Sequence, residues 1–481
     1  MAADKGKHIS HGLEFDFIEE TIKHITTGAE IDLERVPPYS AVVYKARGKV
    51  IAKGFDPDTG KYKKIAEGKA NVEDTEVIQE AINYVSQQGG KVFIKSGTYI
   101  ITKPLTLCSN LVLEGEYGAT VLKLADNANT HIIYDRDSKS NILIANLIFD
   151  GNKDNQTDGS SRNDRVLVWL ESKTNLVLYN CEIRNCRHGA STIIAWSNKV
   201  FIINCRFLNN GASDSSFLCD HMWMGGNSWV LINNCYFDNC TDVGCAMDNC
   251  QHVAIVNCIF RNCKCEAFTW YDADSDWPVP NDLLIANCII NQANCNCGCY
   301  IGSGTGRNPE RVRIINCEFH GNGSTSIGID IRKGSKIEIE HCTIGWHKDY
   351  GIKVDDVLWL EVRNSTINDV PVGIYFTGSG EKGIIENVRF IAISDKAISG
   401  NQPNLKIGFH EIDNNPIGGS YYVTGIITRV DVGDYGGNFA NYTPPEGKEG
   451  MIIVAIDTNS TSPGKRLYVY ANGAWHYVDL T

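Results

Sequence analysis

The chain has 481 residues, of which 43% are hydrophobic and 21% charged, so it can bury a large core and form more than one unit. Its formal net charge of −12 argues against nucleic acid as a partner, because phosphate binding requires a basic patch. No run approaches roughly 18 consecutive apolar residues, and the first residues lack an apolar stretch, so we expect neither a membrane span nor a Sec signal peptide.

Residues 1–70 differ in pattern from the rest and are predicted as a separate N-terminal segment. The stretch GLEFDFIEETIKHITTG (12–28) predicts a short helix. Residues 39–68 are typical of a strand, a glycine turn and a second strand, with DPDTG (56–60) as a tight turn.

A capping helix is predicted at 74–88, with Asp74 or Thr75 as its N-cap. It stops at the glycine pair 89–90. One face is apolar, and its residues are Val77, Ile78, Ala81, Ile82 and Val85.

The central part of the chain repeats one short unit, in which a small or apolar anchor residue follows a turn residue that is usually asparagine. The anchors are spaced 23 to 34 residues apart, and they are Leu147, Cys181, Cys205, Cys235, Cys258, Cys288, Cys317, Cys342, Ser365 and Val388. Apolar residues alternate on both sides of the turn, which indicates strands. Asparagine suits a sharp turn because it tolerates the left-handed conformation.

A third strand precedes these two in most repeats, as in GCAMD (244–248) and GIDIR (328–332). Three strands per repeat, with like residues stacked on the next turn, predict an all-β fold: a right-handed single-stranded parallel β-helix of about ten to twelve coils. We expect it to span 71–410, with the helix at 74–88 covering its end.

The 18 cysteines all fall between Cys108 and Cys342. No pair of CxxC motifs has zinc-ribbon spacing, which favours packing or disulfide bonding over a metal cluster. Two interpretations remain: free buried thiols that act as small hydrophobic residues, or bridges between neighbouring coils.

The last segment, 418–481, is predicted as a small separate β module interrupted by the proline-rich stretch NYTPPEGKEG. It resembles β modules at the ends of viral fibres, and the alternative is a plain β cap on the solenoid.

Several motifs resemble the entry of the pectate-lyase-superfamily β-helix: DTEVIQEAI, then a glycine pair, SGTY, LEGEYGATVLK and FDGNKDNQ. The resemblance covers about 71–400 and implies the fold. It does not fix a reaction, since the superfamily includes polysaccharide lyases, glycosidases, epimerases, tailspikes and adhesins. The ordered motifs of polygalacturonases are missing, and LCDH (218–221) only partly matches the classical pectate lyases.

In such enzymes the glycan lies along the outer face of the strand before the asparagine turn. A first candidate catalytic centre combines Asp220 and His221 with Asp248 one coil on, with carboxylates roughly 5–10 Å apart. Aromatic residues that could stack on sugar rings are Trp223, Trp270, Tyr271, Tyr300 and Tyr375.

A second candidate centre consists of Asp330, Arg332, Lys353 and Asp355. It could serve a lyase, with a base that removes a proton and cations that stabilise an enolate. The alternative is a surface ladder of ion pairs.

Two polar insertions are predicted beside this face. In the first, YDADSDWPVPND (271–282), Asp272, Asp274 and Asp276 alternate as in calcium loops, but the glycine and the closing glutamate of such a loop are missing. The interpretations are a calcium site or an acidic solvated lip. The second, 150–164, is predicted to form the opposite wall of a groove.

These observations leave three functions open. The first is a spike-like protein of a virion or another extracellular surface that binds an extended polysaccharide and cleaves it, for which the resemblance implies a homotrimer. The second is a secreted polysaccharide lyase or glycoside hydrolase. The third is a structural adhesin without catalysis.

Overall fold

The computed structural model describes residues 40–292, 295–378 and 382–400, and beyond them mainly the backbone of seven strands. The helix predicted at 12–28 and most of the C-terminal module lie outside the described residues. Within this part of the chain no helix is long and apolar enough to cross a membrane.

The N-terminal strands Ala41–Ala46, Lys49–Asp56 and Lys61–Lys69 form an antiparallel sheet. The first of them also pairs in parallel with Gly90–Ile94, so it adds an outer strand to the end of the solenoid. The helix α1, Asp74–Val85, buries its predicted apolar face against this end. The cap of the solenoid is therefore a helix and a three-stranded sheet together.

The N-terminus of α1 differs from the prediction, because Glu73 is its N-cap residue and makes no side-chain cap hydrogen bond. Asp74 is instead the first helical residue, and its buried carboxylate accepts a hydrogen bond from the Ile100 amide at 2.7 Å. It also pairs with Lys45 at 2.7 Å. Asp74 therefore ties the helix to the solenoid rather than capping it.

Three sheets run along the solenoid, and each contains one strand from every regular coil. Sheet 1, which also contains the three N-terminal strands, comprises Gly90–Ile94, Leu111–Gly115, Lys139–Ala145, Lys173–Tyr179, Asn198–Ile203, Ser228–Asn233, Gln251–Val256, Asn281–Ala286, Glu310–Ile315, Gly334–Glu340, Val357–Arg363, Lys382–Glu386, Leu405–Ile407 and Tyr422–Val423. Sheet 2 comprises Gly97–Ile101, Thr120–Leu124, Ile148–Asp150, Glu182–Arg184, Arg206–Asn210, Tyr236–Cys240, Ile259–Cys263, Ile289–Asn291, Glu318–His320, Thr343–Gly345, Thr366–Asn368, Val388–Ile391, His410–Asp413, Ile426–Asp431, Ile452–Ile456, Lys465–Ala471 and Ala474–Leu480. Sheet 3 comprises Ile133–Asp135, Val168–Glu171, Gly189–Ala195, Cys219–Gly225, Cys245–Asp248, Glu266–Asp272, Cys297–Ser303, Ile327–Ile331, Tyr350–Val354, Val372–Phe376 and Lys396–Ser399.

Each regular coil passes from sheet 3 to sheet 1 to sheet 2, and each strand pairs in parallel with its copy on the next coil. The eleven strands of sheet 3 confirm the predicted β-helix of about ten to twelve coils. At the C-terminal end, Ile452–Ile456, Lys465–Ala471 and Ala474–Leu480 form a small antiparallel sheet. A short 3₁₀ turn, Lys153–Asn155, lies in the insertion after Ile148–Asp150.

The repeated asparagine forms the corner between sheets 1 and 2, as predicted. Asn204 and Asn234 have φ values of 56° and 53°, which is the left-handed conformation that asparagine tolerates. The Asn234 amide donates to the Asn204 side-chain oxygen of the previous coil at 2.8 Å. The asparagine therefore both makes the turn and links one coil to the next.

The anchor residues after this corner point into the core. Cys205, Cys235 and Cys258 are at most 2% exposed, and all 18 cysteines, which lie within the described residues, are unpaired. The anchor thiols lie within hydrogen-bonding distance of main-chain carbonyls, as Cys235 Sγ does with Ile202 O at 3.4 Å. Of the two interpretations, the structure has free thiols that act as packing residues.

Candidate functional site

The outer face of sheet 3 carries one continuous column of side chains, because the register keeps like positions above one another. In chain order, the column is formed by Tyr134, Trp169, Ile193, Trp223, Ala246, Thr269, Tyr300, Asp330, Lys353, Tyr375 and Ser399. Successive members are about 4.8 Å apart, the distance between paired strands. The predicted residues Trp223, Tyr300 and Tyr375 therefore lie in one line, and each is half-buried.

A second column lies two residues further along each strand, where Asp248 is in register with Tyr271 of the next coil. Asp248 Oδ2 accepts a hydrogen bond from Trp223 Nε1 at 2.8 Å. Burial raises the pKa of Asp248, and the indole N–H opposes part of that rise. The aromatic column and this carboxyl group are thus directly coupled.

His221 does not lie on this face, contrary to the prediction. It is fully buried, and its ring lies 6.4 Å from the Phe207 ring and 6.1 Å from the Phe237 ring inside the solenoid. Other coils place a glycine at the equivalent position, such as Gly328 and Gly351, where a side chain would enter the core. Burial lowers the pKa of His221 to about 3. A sugar on the outer face cannot reach this ring, because it lies inside the solenoid.

Trp270 is a second correction, since it is fully buried and its Nε1 donates to Cys250 O at 3.3 Å. Its neighbours Thr269 and Tyr271 carry the outward positions of that strand. Trp270 is therefore a core residue and cannot stack on a ligand.

Asp220 lies at the outer face but is almost fully buried beside Asp242. Both carboxylates pair with the same atom, Arg162 Nη2, at 2.9 Å and 2.5 Å. Arg162 comes from the insertion predicted as a groove wall, and this insertion lies so close to the strand that any side chain at Gly189 would collide with the Arg162 carbonyl. The insertion therefore supplies the cation of an acidic cluster.

The charged form of Asp220 is disfavoured in this cluster. Burial raises the pKa of Asp220 well above its usual value, and Asp242 adds to the rise through its charge and a shared hydrogen bond. Arg162 and the Val243 amide act in the opposite direction. Asp220 is therefore the carboxyl group of this cluster whose charged form is disfavoured.

Asp220 and Asp248 do not form the close pair that the sequence suggested. The amide of His221 bonds to Val243 O at 3.0 Å, so Asp220 lies opposite Val243, five residues before Asp248. At roughly 3.3 Å per residue the two Cα atoms are roughly 16 Å apart along the strands. The first predicted centre is therefore divided between the two ends of the strand.

Glu266 completes the acidic cluster on the next coil, where the Gly244 amide bonds to Glu266 O. Burial raises the pKa of the Glu266 carboxyl, with further contributions from the charges of Asp242 and Asp330. Asn296 and Arg332 oppose this rise. Asp242 and Glu266 are one coil apart and one residue out of register, which gives a Cα separation of roughly 6 Å.

The second predicted centre is partly an ion-pair ladder. Arg332 Nε lies 3.1 Å from Asp330 Oδ2, and the Arg332 guanidinium lies 5.6 Å from the centre of the Tyr300 ring. The register places Lys353 between Asp330 and Tyr375. Asp330 Oδ1 is buried and has no hydrogen-bond partner, so this carboxylate still has one free acceptor.

The calcium interpretation does not fit the insertion 271–282. Asp272 is fully buried and ion-paired with Arg307, and it also accepts hydrogen bonds from Asn249 and Ser303. Asp274 Oδ1 accepts the amide of Asp276 at 2.9 Å, which is a local turn contact. The Asp272 carboxylate is therefore neutralised and its acceptor positions are filled.

Asp242, Glu266 and Arg162 were missed by the sequence prediction. Glu266 is the first residue of the strand EAFTWYD, and the equivalent residue of the preceding coil is Val243. Because the two residue types differ, the repeat pattern did not identify Glu266. Asp242 lies in the turn before its strand, outside the alternation that identified the other residues. Of these three residues, only Arg162 could have been suspected from the sequence, because it belongs to the polar insertion predicted as a wall of the groove.

Two family models match the chain. Residues 66–288 match the model described as rhamnogalacturonase A/epimerase, pectate lyase-like, and residues 281–427 match the model of the right handed beta helix region. The chain is a right-handed parallel β-helix protein, and its residues 66–288 are similar to the pectate-lyase-like family. No curated protein matches it significantly by sequence.

Solved structures share this β-helix fold at low sequence identity. The A-module of mannuronan C-5 epimerase AlgE4 from Azotobacter vinelandii is 17% identical, with a TM-score of 0.57, over 69% of this chain and 95% of that chain. A tailspike protein double mutant of E. coli bacteriophage HK620 is 12% identical, with a TM-score of 0.59, over 86% of this chain and 82% of that chain. The pre-mature bacteriophage phi29 gene product 12 is 13% identical, with a TM-score of 0.50, over 74% of this chain and 62% of that chain. At these identities the likeness concerns the fold.

Proposed function

We propose that this protein binds an extended, uncharged polysaccharide along the outer face of sheet 3 and hydrolyses it, as a spike-like component of a virion or another extracellular surface. The observation that carries the proposal is the single column of aromatic side chains beside carboxyl groups of raised pKa. The tailspike among the structures that share the fold supports the setting. A homotrimer stays a prediction, to be checked by light scattering.

The binding half of the proposal rests on the length of the column. From Trp169 to Tyr375 there are eight coil steps, or about 38 Å at about 4.8 Å per step. Trp223 and Tyr300 lie between these two ends. A chain of sugar rings can therefore stack on several aromatic rings while its hydroxyl groups donate hydrogen bonds to the carboxylates. A compact ligand would need a closed pocket instead.

The charge of the face favours an uncharged glycan. Between Arg162 and Asp355 the face carries more carboxyl groups than cations. The carboxyl groups include Glu171, Asp220, Asp242, Asp248, Glu266, Asp330 and Asp355, and the cations include Arg162, Arg332 and Lys353. Arg162 and Arg332 are already paired with carboxylates. A uronate polymer would be repelled and would find few cations to stabilise an enolate, which disfavours a lyase.

For hydrolysis, we assign Glu266 as the general acid and Asp242 as the general base. The pKa of Glu266 is raised by burial, which favours its protonated form and suits it to deliver a proton to the leaving oxygen. Asp242 pairs with Arg162 as an anion and can activate a water. Asp220 positions Asp242 through their shared hydrogen bond.

The test is to incubate the protein with uncharged and uronate polysaccharides and measure binding, new reducing ends and absorbance near 232 nm. We expect binding and reducing ends with an uncharged glycan and no absorbance change. Glu266→Gln should abolish turnover and keep binding, whereas Glu310→Gln, on an exposed position of sheet 1, should change neither.

Trp223→Ala should weaken binding roughly tenfold, which corresponds to about 1.4 kcal/mol. Its matched control is Trp229→Ala, on the outer side of sheet 1. Unsaturated products would refute hydrolysis in favour of a lyase. Binding without turnover would leave only the adhesin function, and equal loss in both tryptophan variants would refute the proposed face.

A further inference from the structure

We propose that His221, Cys240 and Cys263 form a binding site for a thiophilic d¹⁰ cation, Zn²⁺ or Cu⁺, in the interior of the β-helix. Each residue offers one ligand atom, and the three atoms all lie within 4.8 Å of one another. All three side chains are buried. The site lies behind the sheet that carries the proposed glycan face and is independent of the proposed function.

The fold brings these residues together from successive coils. Asn210, Cys240 and Cys263 are in register on sheet 2 at the corner that leads to sheet 3. His221 enters the same corner from the start of its sheet 3 strand, at the position where other coils have glycine. The ligands are thus 19 and 23 residues apart in sequence, as expected when one coil separates neighbours.

A second observation is the state of the imidazole ring. His221 Nε2 is buried and has no hydrogen-bond partner. The other nitrogen, Nδ1, lies 2.9 Å from Asn210 Nδ2, and Asn210 Oδ1 accepts the Cys186 amide at 2.9 Å. Asn210 therefore fixes the ring through Nδ1 and leaves Nε2 without a partner, and the ring becomes an oriented metal ligand once the Asn210 amide presents its oxygen to Nδ1.

The cysteines of this site differ from the anchor cysteines in what lies beside them. The anchors form a column of thiols against main-chain carbonyls, with no imidazole. Among the described residues, the group of histidine, cysteine and acidic side chains that converges to metal-binding distance is this one. Packing alone explains the anchors, whereas here a buried imidazole with one unpartnered nitrogen lies beside two thiols.

The donor set selects the cation. Two thiolates and one imidazole are soft to borderline ligands that favour Zn²⁺ or Cu⁺ over Ca²⁺ and Mg²⁺, which prefer oxygen. Binding releases the protons of both thiols and moves the ring proton to Nδ1, so we expect the Asn210 amide to turn its oxygen toward the ring in the loaded state. The bound ion would join neighbouring coils by bonds stronger than packing.

The test uses the full chain, stripped of metal by a chelator under anaerobic reducing conditions. It is then reloaded with Zn²⁺ in one arm and Cu⁺ in the other, and metal content and thermal midpoint are measured. We expect about one ion per chain in at least one arm, with a raised midpoint. Co²⁺ loading should add the thiolate charge-transfer absorption.

His221→Ala, Cys240→Ser and Cys263→Ser should each lower the bound metal at least tenfold. The matched control is Cys258→Ser, a buried anchor cysteine outside the site, which should bind metal like the unchanged chain. Folded unchanged protein that takes up less than about a tenth of an ion in both arms overturns the proposal. Equal metal content in Cys240→Ser and in the control also overturns it. If a variant misfolds, the metal content of the unchanged chain still decides the proposal.

Discussion

Trp223 donates its indole N–H to the carboxylate of Asp248 on the next coil, at 2.8 Å. The tryptophan lies in the aromatic column and the aspartate in the neighbouring column, so one contact joins a stacking surface to an ionisable group. Ordering of the ring by a bound sugar would strengthen this contact and favour the ionised form of Asp248.

Trp223→Phe tests this coupling. The substitution keeps an aromatic ring and removes the N–H that opposes the burial-driven rise, so the pKa of Asp248 should move further upward. The measurement is a carboxyl-carbon NMR titration. Trp359→Phe, which removes an indole bonded to Glu361 on sheet 1, should leave the Asp248 titration unchanged. A lower pKa in Trp223→Phe would contradict the assigned contact.

The pH profile of hydrolysis should reflect Glu266. If its protonated form is the acid, activity falls as the pH rises through its raised pKa. Asp330→Asn removes a charge that raises the pKa of Glu266, so this limb should move to lower pH. Arg332→Gln removes a charge that lowers it, and the limb should move to higher pH. The profiles of kcat/KM are the readout, and shifts in the same direction would exclude Glu266 as the acid.

Two substitutions at Asn234 separate the two roles of the corner asparagine. Asn234→Gly keeps the left-handed conformation and loses the bond to Asn204, so it should destabilise the protein by about 1 kcal/mol. Asn234→Ala also meets the cost of a positive φ and should destabilise it by about 2 kcal/mol. Chemical denaturation measures both, and equal losses would show that the conformation contributes nothing.

Counting reactive thiols tests the free state of the cysteines. Without reductant, a chromogenic thiol reagent should label all eighteen cysteines in denaturant. In the native protein it should reach only Cys108 and Cys265, the two that are partly exposed. A smaller count in denaturant would mean that bridges between coils form after all.

The coil and its corners could be predicted from the sequence because each depends on local chemistry that recurs. Asn204 and Asn234 repeat the same turn, and alternation on either side identifies the strands. The same periodicity placed Trp223 and Tyr300 outward without any structure.

The acidic cluster could not be predicted in the same way, because the alternation breaks where the strands of sheet 3 begin. Two successive residues, His221 and Met222, point inward there, so counting in twos from Trp223 places His221 on the wrong face. Arg162 and Asp242 meet across 80 residues, a contact that depends on the path of an insertion and not on the repeat.

Both insertions leave the solenoid at the turns that flank sheet 3. One of them brings Arg162 to the strand edge, and the other places Trp277 against Trp196 with ring centres 4.4 Å apart. Neither insertion interrupts the inward-facing residues, because those residues lie on the strands and the insertions lie in the turns between them. Loops of other lengths and compositions can therefore replace either insertion while the β-helix core stays unchanged. Exchanging one insertion should alter the specificity of the proposed glycan face without loss of the fold.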